Sequence, residues 1–180
     1  MIFFVKEVKL ESKLNTKNDF SAILTEYQER IYWHIRKMVL DHDDADDITQ
    51  DTFIKVYQNL DKFRGDSELF TWIYRIATNE CLHFLRRKKR TNFFSLSNNN
   101  VGLENILTSG QYIDGDEVEI KLQKALLKLP DKQRLIFNMK YFDDLSYEEI
   151  AKITDTSVGG LKASYHHAVK KIKKYISLPD

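Results

Sequence analysis

The sequence predicts an all-α protein of two small helical domains joined by a flexible linker, and three observations predict it. Apolar residues recur at three- and four-residue spacing along most of the chain, with no sustained apolar/polar alternation. Prolines stand only at 130 and 179, so little interrupts helical runs. The periodicity fails once, over residues 91–115, where Asn98-Asn99-Asn100, Gly102, Ser109-Gly110 and Gly115 gather. The reading is an N-terminal extension over 1–18, a first domain over 19–90, a linker over 91–115 and a second domain over 116–176.

The first helix carries Phe20, Leu24, Tyr27, Ile31, Ile35 and Met38 on one stripe, with Asn18 or Asp19 as its cap. A second helix buries Ala45, Ile48, Thr52, Val56 and Leu60. A third is expected from Asp66 or Ser67 through Phe70, Ile73, Ile76, Ala77 and Phe84 into Arg90. In the second domain Val118, Leu122, Ala125, Leu126 and Leu129 form a face that Pro130 stops. Leu135, Ile136, Met139 and Phe142 form the next, from Asp131.

Composition narrows the class. Of 180 residues 42% are hydrophobic and 12% aromatic, enough to fill two modest cores, which excludes global disorder. A single cysteine, Cys81, excludes a disulfide framework and a cysteine-based zinc site, and fits a cytoplasmic setting. The start Met1-Ile2-Phe3-Phe4-Val5 lacks a basic flank and is broken by Lys6, so it does not read as a signal peptide. No run approaches a membrane span. The net charge of +1 hides a segregation: residues 19–60 sum to −5, 61–90 to +4, 116–155 to −2 and 156–175 to +5. Two basic zones, each beside an acidic one, fit two nucleic-acid contacts and a protein partner.

The sharpest local signal lies near the C-terminus. Ser146-Tyr147-Glu148-Glu149 is a capping box, since a serine at the cap and a glutamate three residues on can satisfy each other's backbone donors. A short helix with Ile150 and Ala151 ends near Thr154-Asp155-Thr156, and Ser157 can cap a longer one: the layout of a DNA-binding helix-turn-helix. On that longer helix Leu161, Tyr165, Ala168 and Ile172 share the core side. Gly159, Ala163, His166, Lys170 and Lys174 lie opposite, flanked by Lys162, His167 and Lys173. Small residues there let the backbone approach DNA, while histidines and lysines reach bases and phosphates. Adjacent histidines diverge by 100° on a helix, which argues against a metal pair.

In the first domain the second helix sets Asp43, Asp47, Gln50 and Ile54, with Asp51 at the edge, opposite its buried stripe. An aliphatic residue amid acids reads as a protein-docking surface. The third helix runs into Arg86-Arg87-Lys88-Lys89-Arg90, more basic charge than a helix end requires, and so a phosphate-binding run. Before that helix, the loop Asp61-Lys62-Phe63-Arg64-Gly65-Asp66-Ser67 holds an aromatic, an arginine and a glycine able to receive an unstacked base.

Together these stretches resemble the extracytoplasmic-function (ECF) group of the sigma-70 family. Asp43-Asp44-Ala45-Asp46-Asp47-Ile48-Thr49-Gln50-Asp51-Thr52-Phe53 is similar to the family's polymerase-binding helix. Phe63 to Ser67 and Thr71-Trp72-Ile73-Tyr74-Arg75-Ile76-Ala77-Thr78-Asn79 resemble its region 2 loop and promoter-melting helix. Leu129-Pro130, Gln133-Arg134, Tyr147 to Ala151 and Gly159-Gly160-Leu161-Lys162 resemble its region 4.

The resemblance implies a sigma factor that binds core RNA polymerase and directs promoter-specific initiation. Asp43, Asp47, Gln50, Asp51 and Ile54 would dock on the largest polymerase subunits. Lys62, Phe63, Arg64, Gly65, Asp66, Ser67, Trp72, Tyr74, Arg75, Asn79, Arg86, Arg87 and Lys88 would capture and hold the melted −10 element. Ser157, Gly159, Gly160, Lys162, Ala163, His166, His167 and Lys170 would read the −35 duplex. An anti-sigma partner is implied too. The chain departs from the family's pattern at Gly160, where threonine is common, and at His167 and Val169, where arginines are frequent. No catalytic residue, metal or cofactor is expected, because the sequence has no phosphate-cradling glycine loop, nucleophile elbow or spaced metal motif. The alternative is a stand-alone helix-turn-helix regulator.

Overall fold

The computed structural model describes residues 19–94 and 117–177, and for residues 92–94 and 117–119 the backbone alone. The N-terminal extension and most of the expected linker lie outside these residues. The described residues form seven α-helices: α1 (Phe20–Val39), α2 (His42–Asn59), α3 (Leu69–Phe94), α4 (Glu117–Leu127), α5 (Asp131–Tyr141), α6 (Tyr147–Thr154) and α7 (Val158–Ile176).

The first domain is the bundle α1–α3. Of the expected stripe, Ile31, Ile35 and Met38 of α1, joined by Ile23, which was not in it, meet Ala45, Val56 and Leu60 and the α3 residues Ile73 and Ala77, all of them fully buried. The α1–α2 corner is tight because Leu40 takes a left-handed conformation (φ 66°) and Asp41 accepts from the Asp44 N–H at 3.0 Å. Helix α3 starts at Leu69, later than the Asp66 or Ser67 expected. Gly65 is left-handed (φ 74°), and the first bond into the helix runs from Trp72 N–H to the Glu68 carbonyl. The helix also continues to Phe94, four residues into the expected linker, since no glycine or proline breaks it there.

The second domain packs α4, α5 and α7 around Ala125, Leu126, Leu129, Phe137, Ala168 and Ile172. The capping box forms as expected: Ser146 Oγ accepts from Glu149 N–H at 3.2 Å, and Glu149 accepts from Ser146 N–H at 2.7 Å. Asp155 turns left-handed (φ 51°), and Ser157 caps α7 by accepting from Gly160 N–H at 3.2 Å. Two caps on either side of one left-handed residue fix the angle of this helix-turn-helix.

The two domains also pack on each other. Leu135, Ile136, Met139, Leu145, Ile150 and Ile153 join the first domain's core in one apolar cluster. Helix α6 lies on α3 and α5 on α1.

Candidate nucleic-acid and protein interfaces

On α2, Asp43, Asp47, Gln50 and Asp51 are exposed, and Ile54 leaves 53% of its surface in solvent. It borders a groove of about 630 Å³ whose other walls include Phe20, Leu24, Gln50, Phe53 and Tyr57. Phe20 and Leu24, expected as core, are half-buried and form its floor. Tyr57, 45% exposed, meets Phe20 edge-on at 5.0 Å. Sequence reasoning missed this aromatic, although it lies three residues beyond Ile54 and so on the same helix face.

The loop and α3 present a second surface. Lys62, Arg64, Gly65 and Asp66 are exposed, and Phe63 and Ser67 half-buried. Phe63 packs on Trp72 with ring centroids 5.2 Å apart. Trp72, Lys62 and Asn79 share the lining of a cleft of about 350 Å³, whose rim holds the Lys55–Glu80 ion pair (2.5 Å). The structure thus brings Lys62, Trp72 and Asn79 to one cleft. Tyr74 is not among them: it is fully buried, and its hydroxyl donates to Asp143 of the other domain at 2.5 Å. The ring lies on the inner side of α3, two positions from the cleft residue Trp72 and so about 200° around the helix. Burial, with Asp143 beside it, pushes the Tyr74 hydroxyl well above its usual range. Arg75, its neighbour, is exposed but donates to the Lys152 carbonyl at the end of α6.

The basic run is divided. Arg86 and Arg87 are exposed, while Lys88 pairs with Asp44 at 2.6 Å and Lys89 with Asp131 of α5 at 2.7 Å. Cys81, midway along α3, is fully buried, which pushes its thiol up to about 12 and leaves it unreactive.

Helix α7 presents the third surface. Ser157, Gly159, Gly160, Lys162, Ala163, His166, His167 and Lys170 are all exposed, although the Ser157 hydroxyl is engaged as a cap. Space around Gly159 is open, so the backbone there is accessible. Among the described residues no three His, Cys, Asp or Glu side chains gather as a metal site.

Two family models cover the chain: Sigma-70 region 2 over residues 23–91 and Sigma-70 region 4 over residues 119–172. The ECF RNA polymerase sigma factor SigW of Bacillus subtilis is 31% identical, over 98% of this chain and 98% of that protein. The chain belongs to the ECF group of the sigma-70 family. The ECF RNA polymerase sigma-E factor of Escherichia coli K12 is 30% identical over 85% of this chain and 84% of its own length. Among solved structures, the sigma factor RpoE in complex with the anti-sigma factor NepR from Bartonella quintana has the same fold (TM-score 0.68, 23% identity, 91% of this chain and 99% of that one). As an ECF sigma factor the chain directs promoter recognition by RNA polymerase and is a non-enzymatic subunit. No described helix is long and apolar enough to cross a membrane.

Proposed function

We propose that the three surfaces divide the sigma factor's work. The α2 face docks on core polymerase, the loop and α3 take the melted −10 strand, and α7 reads the −35 element as duplex in the major groove. One observation carries the first assignment: Ile54, largely exposed among Asp43, Asp47 and Gln50, stands over an apolar groove with Phe20, Leu24 and Tyr57. An aliphatic and an aromatic anchor ringed by acids is the composition of an interface hot spot facing a basic partner. For the −10 strand, the Phe63–Trp72 pair beside Lys62 and Asn79 supplies a stacking platform with phosphate and base-edge partners. For the −35 duplex, small residues at the start of α7 allow close approach, and Lys170 and its neighbours add salt-dependent affinity.

Solved neighbours include the sigma factor RpoE in complex with the anti-sigma factor NepR, and CnrH in complex with the cytosolic domain of CnrY. We extend such a partner to this chain, covering the α2 groove. The place of action is the cytoplasm, where the polymerase works.

The test is affinity for core polymerase. Ile54→Glu and Asp47→Lys, both at exposed positions, should leave thermal unfolding unchanged. Ile54→Glu should weaken core binding by about 2 kcal/mol or more, roughly thirtyfold; Asp47→Lys should act mainly on the association rate. Full affinity in both variants would remove α2 from the interface.

A further inference from the structure

The fold sorts the basic run Arg86-Arg87-Lys88-Lys89-Arg90 by helix face. Arg86, Arg87 and Arg90 are exposed. Lys88 is half-buried, because it stands three residues beyond Leu85 and seven beyond Cys81 and so shares the inner face of α3 with those two buried side chains. The acidic run on α2 is sorted in the same way. Asp43, Asp47 and Asp51 are exposed, whereas Asp44 is half-buried, four residues before Ile48 and eight before Thr52, both of them buried. The inner acid of α2 meets the inner lysine of α3: Lys88 Nζ donates to Asp44 Oδ2 at 2.6 Å.

The contact is pinned from both sides. Asp44 sits in the first turn of α2, where the helix dipole favours a carboxylate, and its backbone N–H donates to Asp41 Oδ1 at 3.0 Å. The Lys88 ammonium also lies 5.3 Å from the centroid of the Phe84 ring. With 38% of the Lys88 side chain and 27% of the Asp44 side chain exposed, the two charges are better shielded from salt than a surface pair, yet both stay within reach of a strand. A carboxylate oxygen at this distance takes the place that a phosphate oxygen would take on the same ammonium.

We propose that Asp44 is a charge brake on strand binding: it holds Lys88 back from nucleic acid and so lowers the chain's sequence-blind affinity for single strands. That affinity follows the number of phosphates a protein neutralises. A chain offering its whole basic run would spread over any exposed strand. With Lys88 engaged by Asp44 inside the first domain, the exposed Arg86 and Arg87 carry the contact, and Lys88 joins only where a phosphate displaces the carboxylate. Asp44 is thus a positioning residue for Lys88, and the brake rests on the reading above that α3 takes the strand.

The experiment follows binding of the full chain to a short fluorescein-labelled oligothymidine by anisotropy across a salt series. One further phosphate contact steepens the logarithmic salt dependence by about 0.7 and is worth roughly fivefold in affinity at about 0.1 M salt. Asp44→Asn should show both changes, with unaltered helical circular dichroism, and Asp44→Ser, a second neutral residue suited to a helix start, should do the same. Asp43→Asn, exposed and equal in net charge change, should tighten binding less than about twofold. Asp44→Asn combined with Lys88→Met should bind no tighter than Lys88→Met alone. Arg87→Ala should weaken binding roughly fivefold in the wild-type background. Wild-type affinity and salt dependence in both Asp44 variants, whatever their thermal unfolding, would make the pair purely structural and overturn the brake. Equal gains from Asp43→Asn and Asp44→Asn, or a gain that survives Lys88→Met, would overturn it too, since either would be an effect of net charge. Full affinity in Arg87→Ala would instead remove α3 from the strand surface, and the brake would fall with that reading.

Discussion

Helix α5 faces two interiors, one apolar and one that mixes apolar with polar contacts. Toward α4 and α7 it offers Phe137, which joins Leu126, Leu129, Ala168 and Ile172 and stacks on Tyr165 at 5.7 Å. Toward α1 and α3 it offers Arg134 and Asn138, and the turn after it offers Asp143. Both sides exclude water, but the first is held by apolar burial and the second adds hydrogen bonds and a buried charge to its apolar contacts. Apolar burial is non-directional and tolerates small shifts, so it defines a domain. Buried polar contacts demand matched geometry and become costly when half made, so they define a register between domains. The difference separates what folds region 4 from what positions it.

That distinction can be broken from the apolar side first. Phe137→Ala should cost about 3–5 kcal/mol in urea unfolding and should strip helicity from α4, α5 and α7 together. A loss below 1 kcal/mol would mean that the apolar side does not hold the domain. On the polar side, Arg134→Ala should cost about 3 kcal/mol, because the Met38 carbonyl loses its donor and Asp131 its buried partner. Arg134→Met refills the space but leaves the same carbonyl and carboxylate without their donor, so it should recover only the smaller part of that cost. Full recovery would mean that lost packing, rather than the guanidinium's hydrogen bonds, sets the cost.

The smallest effect sharpens the comparison through pH. Burial raises the Asp143 carboxyl, but the bonds and charges of His34 and Lys37 outweigh it and hold the group far below its ordinary value. A carboxyl depressed in the folded state stabilises above its unfolded pKa, about 3.9, and that contribution drains away as pH falls through the folded value. The stability gap between wild type and Asp143→Asn should therefore narrow as pH is lowered from about 4 to 2. A gap that stays constant across that range would show the carboxylate charge to be uninvolved.

The sequence made the individual helices and the turn chemistry legible. Ile31, Ile35 and Met38 recur at helical spacing because a single stripe faces one core, and Ser146 and Glu149 form their box within four residues. The exposure of Ile54 was readable because it falls on the α2 face opposite the buried stripe, among acids. The groove beside it was not, since Phe20 and Leu24 fit a core stripe equally well and only the packing of α1 on α2 leaves them half open. The contact between the domains was hidden for a different reason. Asp143 stands beside Asp144 in a turn, where acids are ordinarily solvated, and its partners lie 69 to 109 positions away in the chain. His34 did carry a signal, three residues past Ile31 and so on the buried stripe of α1, where a polar ring needs a partner. Tyr74 misled because Arg75 beside it is exposed and Trp72 is only half-buried, and sequence alone does not say which side of α3 a second domain covers.

The central claim is that apolar burial folds region 4 while the buried polar contacts only position it, and amide hydrogen exchange on the free chain with and without Asp143→Asn tests it most directly. The account predicts that the variant loses protection along the facing turns of α1, α5 and α6, while the amides of α4 and α7 around Leu126 and Ile172 keep their wild-type rates. Protection lost together across α4, α5 and α7 would contradict it, because the polar contacts would then be part of what folds region 4.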